Sequence, residues 1–165
     1  MHSNIKLLEN SIKNHPFNLS LALVGGIALA SMIAVNSKLA SYSSPLLASW
    51  FAHAIGAVTS FVIIILFNTW SGDRLAIFPK PGAPIWAYLG GIPGAISVVL
   101  AAVTVNSPLG LSGSIVLIMA GQVMFGIVSD AFGLFGLVKR SMTFNDGTAL
   151  ILMAIGCLIT LFGRG

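Results

Sequence analysis

The chain has 165 residues, of which 56% are hydrophobic and 7% charged, with a net charge of +4 and a mean hydropathy of +0.98. A soluble domain carries roughly 25% charged residues, so a water-soluble globule is excluded: too few polar side chains exist to cover its surface. Four Asp and Glu, scattered along the chain, and a single cysteine leave no internal disulfide and no set of ligands for a catalytic metal.

The class that remains is an all-α integral membrane protein, and a spanning helix needs about 20 mostly apolar residues. Residues 1–16 (MHSNIKLLENSIKNHP) are polar, with Ile5, Leu8 and Ile12 at helical spacing, and read as a tail or a surface helix. No small-residue cleavage site follows, so the segment is unlike a cleavable signal peptide. The transmembrane domain takes up 17–165. Its first span is expected over about 17–37, with a break at Ser43, Ser44 and Pro45. The second covers 45–68 and ends at the polar WSGDR run. A link containing Pro79, Pro81 and Pro84 leads to the third, 85–105, with Pro84 at its first turn. NSPLG (Asn106 to Gly110) is a tight connection. The fourth is expected over 111–129, followed by an interfacial stretch AFGLFGLV before Lys139 and Arg140; one long tilted helix is the alternative. The fifth covers 147–162. Five spans result.

Five spans put the N-terminal tail and the second and fourth connections on one side. That side carries Lys6, Lys13, Arg74, Lys80, Lys139 and Arg140, against Lys38 and Arg164 on the other. Basic residues favour the cytoplasmic side, so the N-terminus is expected in the cytoplasm and the C-terminus outside. The basic residues are not clustered among aromatics, so nucleic acid is not an expected partner. Cys157 stands in an apolar run and reads as a small buried apolar residue.

Polar side chains at membrane depth cost free energy to place, which makes them the candidate site. Gln122 lies near the middle of the fourth span, with Gly126 and then Ser129 or Asp130 continuing its face. His53, next to Trp50, lies two turns into the second. Asn36 and Asn106 lie near the ends of the first and third. Together Gln122, His53, Trp50, Asn36 and Asn106 are candidates to line a polar substrate pathway. A single interhelical hydrogen bond for His53, and capping for the two asparagines, are the structural alternatives. Asp130 is the acid nearest membrane depth, since Glu9, Asp73 and Asp146 fall outside the expected spans. A carboxyl in a low-dielectric site holds its proton more tightly and can carry it through a transport cycle. The alternative places it at the interface near Lys139 and Arg140. In GGIPG, Pro93 removes a backbone hydrogen bond between Gly90 and Gly94, so this point is either a hinge or a packing kink. Small-residue stripes such as Gly90 and Gly94, or Ser49, His53 and Gly56, suit close helix packing.

The runs NSKLA with Asn36 and Lys38, SPLLASWFAHAIG, LGGIPGAISVV, GQVMFGIVSDAFGLFGL with Gly121, Gln122, Asp130 and Gly133, and DGTALILMAIG follow one another in order. In them the chain resembles the YdcZ-type family of small membrane proteins in the drug/metabolite transporter superfamily. The resemblance spans nearly everything after Phe17. Met32 stands where the family commonly has glutamine, His53 where it has an aromatic, and Phe144 near a common basic position. The resemblance implies a bacterial inner-membrane protein forming one half of an inverted-repeat transporter. It would act as a homodimer, or with a homologous subunit of opposite orientation. The small multidrug exporters of the same superfamily rely on an acid in the first helix, which this chain lacks.

The function that follows is a secondary transporter or exporter of a small molecule, working by alternating access without a cofactor. A non-transporting scaffold or accessory subunit is the alternative. An enzyme is not expected, as no HExxH, GxSxG, paired carboxylates or cysteine–histidine arrangement is present.

Overall fold

Hydrocarbon offers no hydrogen bonds to a polypeptide, so a lipid-embedded chain must satisfy its backbone within each segment. The uncharged runs accordingly fold as helices. The computed structural model describes residues 15–71, 82 and 84–163. It contains α1 (His15–Tyr42), α2 (Pro45–Ser71), α3 (Gly91–Val105), α4 (Gly110–Phe132) and α5 (Phe144–Phe162), with a 3-10 turn at Ile85–Gly90 leading into α3. Five helices are long and apolar enough to cross a membrane, the third counting its 3-10 lead-in. His15 and Pro16, expected in the tail, open α1; residues 1–14 of that segment, with Lys6 and Lys13, and Asp73, Arg74, Lys80 and Arg164 lie outside the described residues.

The helix ends differ from the expected bounds for local reasons. α1 runs past Ser37 to Tyr42, and its 28 residues extend about 42 Å, more than the ~30 Å hydrocarbon layer. Near its C-terminal end the Lys38 ammonium lies 4.9 Å over the Tyr42 ring, a cation–π contact one turn apart on the same helix. α2 runs past Asn68 to Ser71. α4 extends to Phe132 and stops at Gly133, whose φ of 64° is the left-handed conformation that closes helices. AFGLFGLV is divided between two elements. Its first two residues finish α4, and Leu134–Gly136 form a 3-10 turn. α5 begins at Phe144 rather than 147, because a capping box forms one turn earlier: Thr143 N and Oγ1 both donate to Asp146 Oδ2, at 2.7 and 2.9 Å.

α3 is the central element and packs against α1, α2 and α4, while α5 packs on α4. The packing is strongly one-ended. Ile33, Asn36, Ser37 and Ala40 of α1, Ala48 and Ser49 of α2, Val98, Ala101 and Ala102 of α3, Ser114 of α4 and Cys157 of α5 are buried. All lie in the half of the bundle that holds the α1–α2 and α3–α4 connections. Ala40, Ala48 and Ala102 form its core, where minimal side chains let three backbones approach closely. In the opposite half Ser129 is the one buried side chain among the described residues. There Leu19, Leu23, Val24, Val58, Val62 and Leu66 are exposed. The bundle is tight at one end and open at the other.

Most hydroxyls within the spans bond their own helix. Ser31, Ser37, Thr59, Ser60, Ser97 and Thr160 donate to the carbonyl four residues back at 2.7–2.9 Å. Such groups sit in lipid without a partner helix, and the small-residue stripes are less polar than their composition suggests.

Candidate substrate pathway

Two cavities flank the bundle and share no lining residue. One, of about 470 Å³, lies between α2 and α3 and is lined by Ser49, Trp50 and His53 with Ala95, Ile96 and Val99 among its apolar neighbours. The other, of about 400 Å³, lies between α1 and α4, where Gly26, Ala30 and Ile33 face Ile118, Met119 and Gln122. The five candidate pathway residues thus do not meet in one place within this chain. Trp50 and His53 belong to the first cavity, Gln122 to the second, and Asn36 and Asn106 to neither.

The α2–α3 cavity is held by two polar contacts. Ser49 Oγ donates to the Ala95 carbonyl at 3.0 Å, tying α2 to α3. His53 Nδ1 lies 2.8 Å from the Ser49 carbonyl, so Nδ1 carries hydrogen toward it. That fixes the ring and turns Nε2 toward α3. A Cβ built on Gly94 would lie 3.4 Å from that nitrogen. Gly94 thus leaves the space the imidazole occupies. Neither a catalytic nor a metal role follows from a ring bonded within its own helix, and no group of three potential metal ligands occurs among the described residues.

The GGIPG run marks a change of winding, not a gap. Gly90 and Gly91 both have right-handed helical dihedrals, and the 3-10 turn passes into α3 between them. Pro93 falls in the first turn of α3, where a missing N–H is tolerated.

Asn106 fastens the tight end: Nδ2 donates to the Ser37 carbonyl of α1 at 2.9 Å and to Ala102 at 2.8 Å. Asn36 is 8% exposed, and its Nδ2 has no hydrogen-bond partner among the described residues; nor does the hydroxyl of Ser114, 1% exposed. Gln122 differs again. It is exposed, twelve residues into α4, and no hydrogen bond reaches its side chain among the described residues. Gly126, one turn on, is half-buried with open space beside it.

Asp130 occupies the last turn of α4. Its side chain is 44% exposed and stands 3.9 Å from Arg140 Nε, while Arg140 N donates to the Asp130 carbonyl at 2.8 Å. The same guanidinium bonds Asp146 Oδ1 at 2.7 Å. Arg140 therefore spans the two acids at the open end of α4 and α5. This is the alternative in which Asp130 stands near Lys139 and Arg140; what the sequence did not show is that the same guanidinium reaches on to Asp146, although the Thr143-x-x-Asp146 spacing was the available sign that α5 starts there. Nor did the sequence show the turn that delivers Arg140. Phe135 has φ 58° between Gly133 and Gly136, a conformation costing an L residue about 1 kcal/mol or more. Its ring lies 5.7 Å from Trp86 and 6.1 Å from Phe125, contacts that hold the turn against α4 and the lead-in to α3.

Over residues 17–159 the chain matches the model of a family described as "Putative inner membrane exporter, YdcZ". No curated protein and no solved structure matches it. With five membrane-length helices and a match running from Phe17 into the last turn of α5, the chain belongs to the YdcZ family as a multi-pass inner-membrane protein.

Proposed function

We propose that the protein exports a small molecule by secondary transport, as a pair of five-helix units of opposite orientation. The observation that carries this reading is the one-ended packing: the buried alanines and serines gather in one half of the bundle, and among the described residues of the other half only Ser129 is buried. A unit packed mainly at one end suits the rocking of one inverted unit against another by which such transporters alternate access. An inverted partner would set a tight end against each open one. The pathway would run between the two units, with Gln122 facing it from the α1–α4 cavity, while Trp50 and His53 would offer substrate a separate recess between α2 and α3. Asp130 would carry the coupling proton, with Arg140 as the cation it leaves and regains. The N-terminus of the majority orientation is assigned to the cytoplasm from the six-to-two distribution of Lys and Arg.

The test is flux from proteoliposomes under an imposed pH gradient, with small amines, organic cations and metabolites as probes, alongside tags on both termini. Gradient-dependent flux with termini on both faces supports the reading. Purified protein of uniform orientation that moves none of the probes overturns it.

A further inference from the structure

Gln122 sits at the centre of α4, twelve residues from Gly110 and ten from Phe132. The primary amide is exposed at the middle of a span and makes no hydrogen bond among the described residues. Lipid cannot supply one, and an acyl chain in the adjoining cavity would leave both the donor and the acceptor unsatisfied. On α1 the groove beside it is lined by Ala22, Gly26 and Ala30 between Leu23, Ile27 and Ile33, so small residues that suit close helix approach are flanked by larger apolar ones. An amide carries its own complement, since its N–H₂ and C=O can pair with those of another amide. Mid-depth also has a special property: a residue at the centre of a span stays at the same depth when a copy is inverted.

From these observations we infer that the α1–α4 face is the contact with a second copy of this chain, with the two Gln122 side chains paired on the two-fold axis. Each amide then gives one N–H to the other's carbonyl, in either relative orientation of the copies. The inference rests on the reading that the protein works as a pair, but not on transport or on inversion. Substrate entering between the units would exchange its own hydrogen bonds for this amide pair, which places Gln122 on the pathway and at the interface together.

Cysteine cross-linking in native membranes tests it, with the unmodified chain, whose one cysteine is buried, as the blank. With a short bis-methanethiosulfonate reagent bridging two thiols, Gln122→Cys should give mostly covalent dimer, since paired amides can hold the two Cα atoms beyond the ~7 Å of a direct disulfide. Met124→Cys, rotated away on the same helix, should stay monomeric. Gln122→Leu should keep its fold and raise the dimer dissociation constant in detergent about tenfold. A Gln122→Cys variant that does not link, or a Gln122→Leu dimer as tight as the wild type, overturns the interface. Mixed Met119→Cys and Gly126→Cys chains then separate the two readings. A Met119–Gly126 link supports the interface with inverted copies. A Met119–Met119 link supports the interface and overturns the inverted arrangement.

Discussion

Asn106 at the end of α3 reaches across to the main-chain carbonyl of Ser37 in α1 at 2.9 Å, joining two helices whose residues stand 69 positions apart. The Ser37 carbonyl also serves its own helix, so the bond is an addition to the backbone ladder rather than its replacement. Asn106→Ala should therefore lower stability by about 0.5–1.5 kcal/mol, seen as a modest loss in thermal unfolding in detergent. Asn106→Asp, with no N–H to give, should do no better.

Ala48 is fully buried and meets Ala40 and Ala102 at the tight end. Ala48→Leu has nowhere to place three further carbons without parting the helices, and should cost about 1–3 kcal/mol. Leu66→Ala, on the exposed face of α2, should change stability little. Denaturation midpoints of the two variants measure the contrast between the two halves of the bundle.

Gly94 is set against the His53 ring, with room for a methyl at the limit of ordinary contact, 3.4 Å from Nε2. Gly94→Ala should be nearly neutral. Gly94→Val adds two more methyls toward the imidazole and should cost about 1–3 kcal/mol, while altering access to the α2–α3 cavity. Carbethoxylation of His53 by diethyl pyrocarbonate, followed by mass spectrometry, reports the change.

Asp130 and Asp146 share Arg140 unequally, at 3.9 and 2.7 Å. An exposed pair at the longer distance adds little stability, so Asp130→Asn should leave the fold intact. If Asp130 carries the coupling proton, that variant should lose the pH dependence of flux, and Arg140→Gln should shift it. A flux profile in Asp130→Asn that follows the wild type across pH would return the residue to a structural role.

Asp146 is bound by Thr143 as well as Arg140. Asp146→Asn should therefore act on the helix start: hydrogen exchange in the first turn of α5 should rise while the core of the bundle keeps its protection. Equal protection across α5 in both proteins would show that the capping box is dispensable.

The number of spans was legible in the residues because bilayer thickness sets the length of an apolar run and charged or turn-forming residues end it; the WSGDR run and Asn106 to Gly110 mark such ends plainly. Helix termini were less so. α5 starts at a capping box and α4 stops at a left-handed Gly133, and both depend on side-chain-to-backbone geometry that hydropathy does not record. Which polar residues meet was the least legible. Gln122, His53 and Asn106 look alike as isolated polar positions in apolar helices. Yet His53 bonds its own helix, Asn106 bonds α1, and Gln122 bonds nothing among the described residues.

The chain by itself determined the solvent it lives in, the count of its helices and the family to which it belongs. All three follow from apolar runs of bilayer length and from the order of a few motifs. The tertiary structure alone decided that one end of the bundle closes on Ala40, Ala48 and Ala102 while the other stands open, and that Arg140 joins Asp130 to Asp146. The reason is that lipid and protein interior are equally apolar, so a helix surrounded by both carries no periodic pattern to tell its inward face from its outward one.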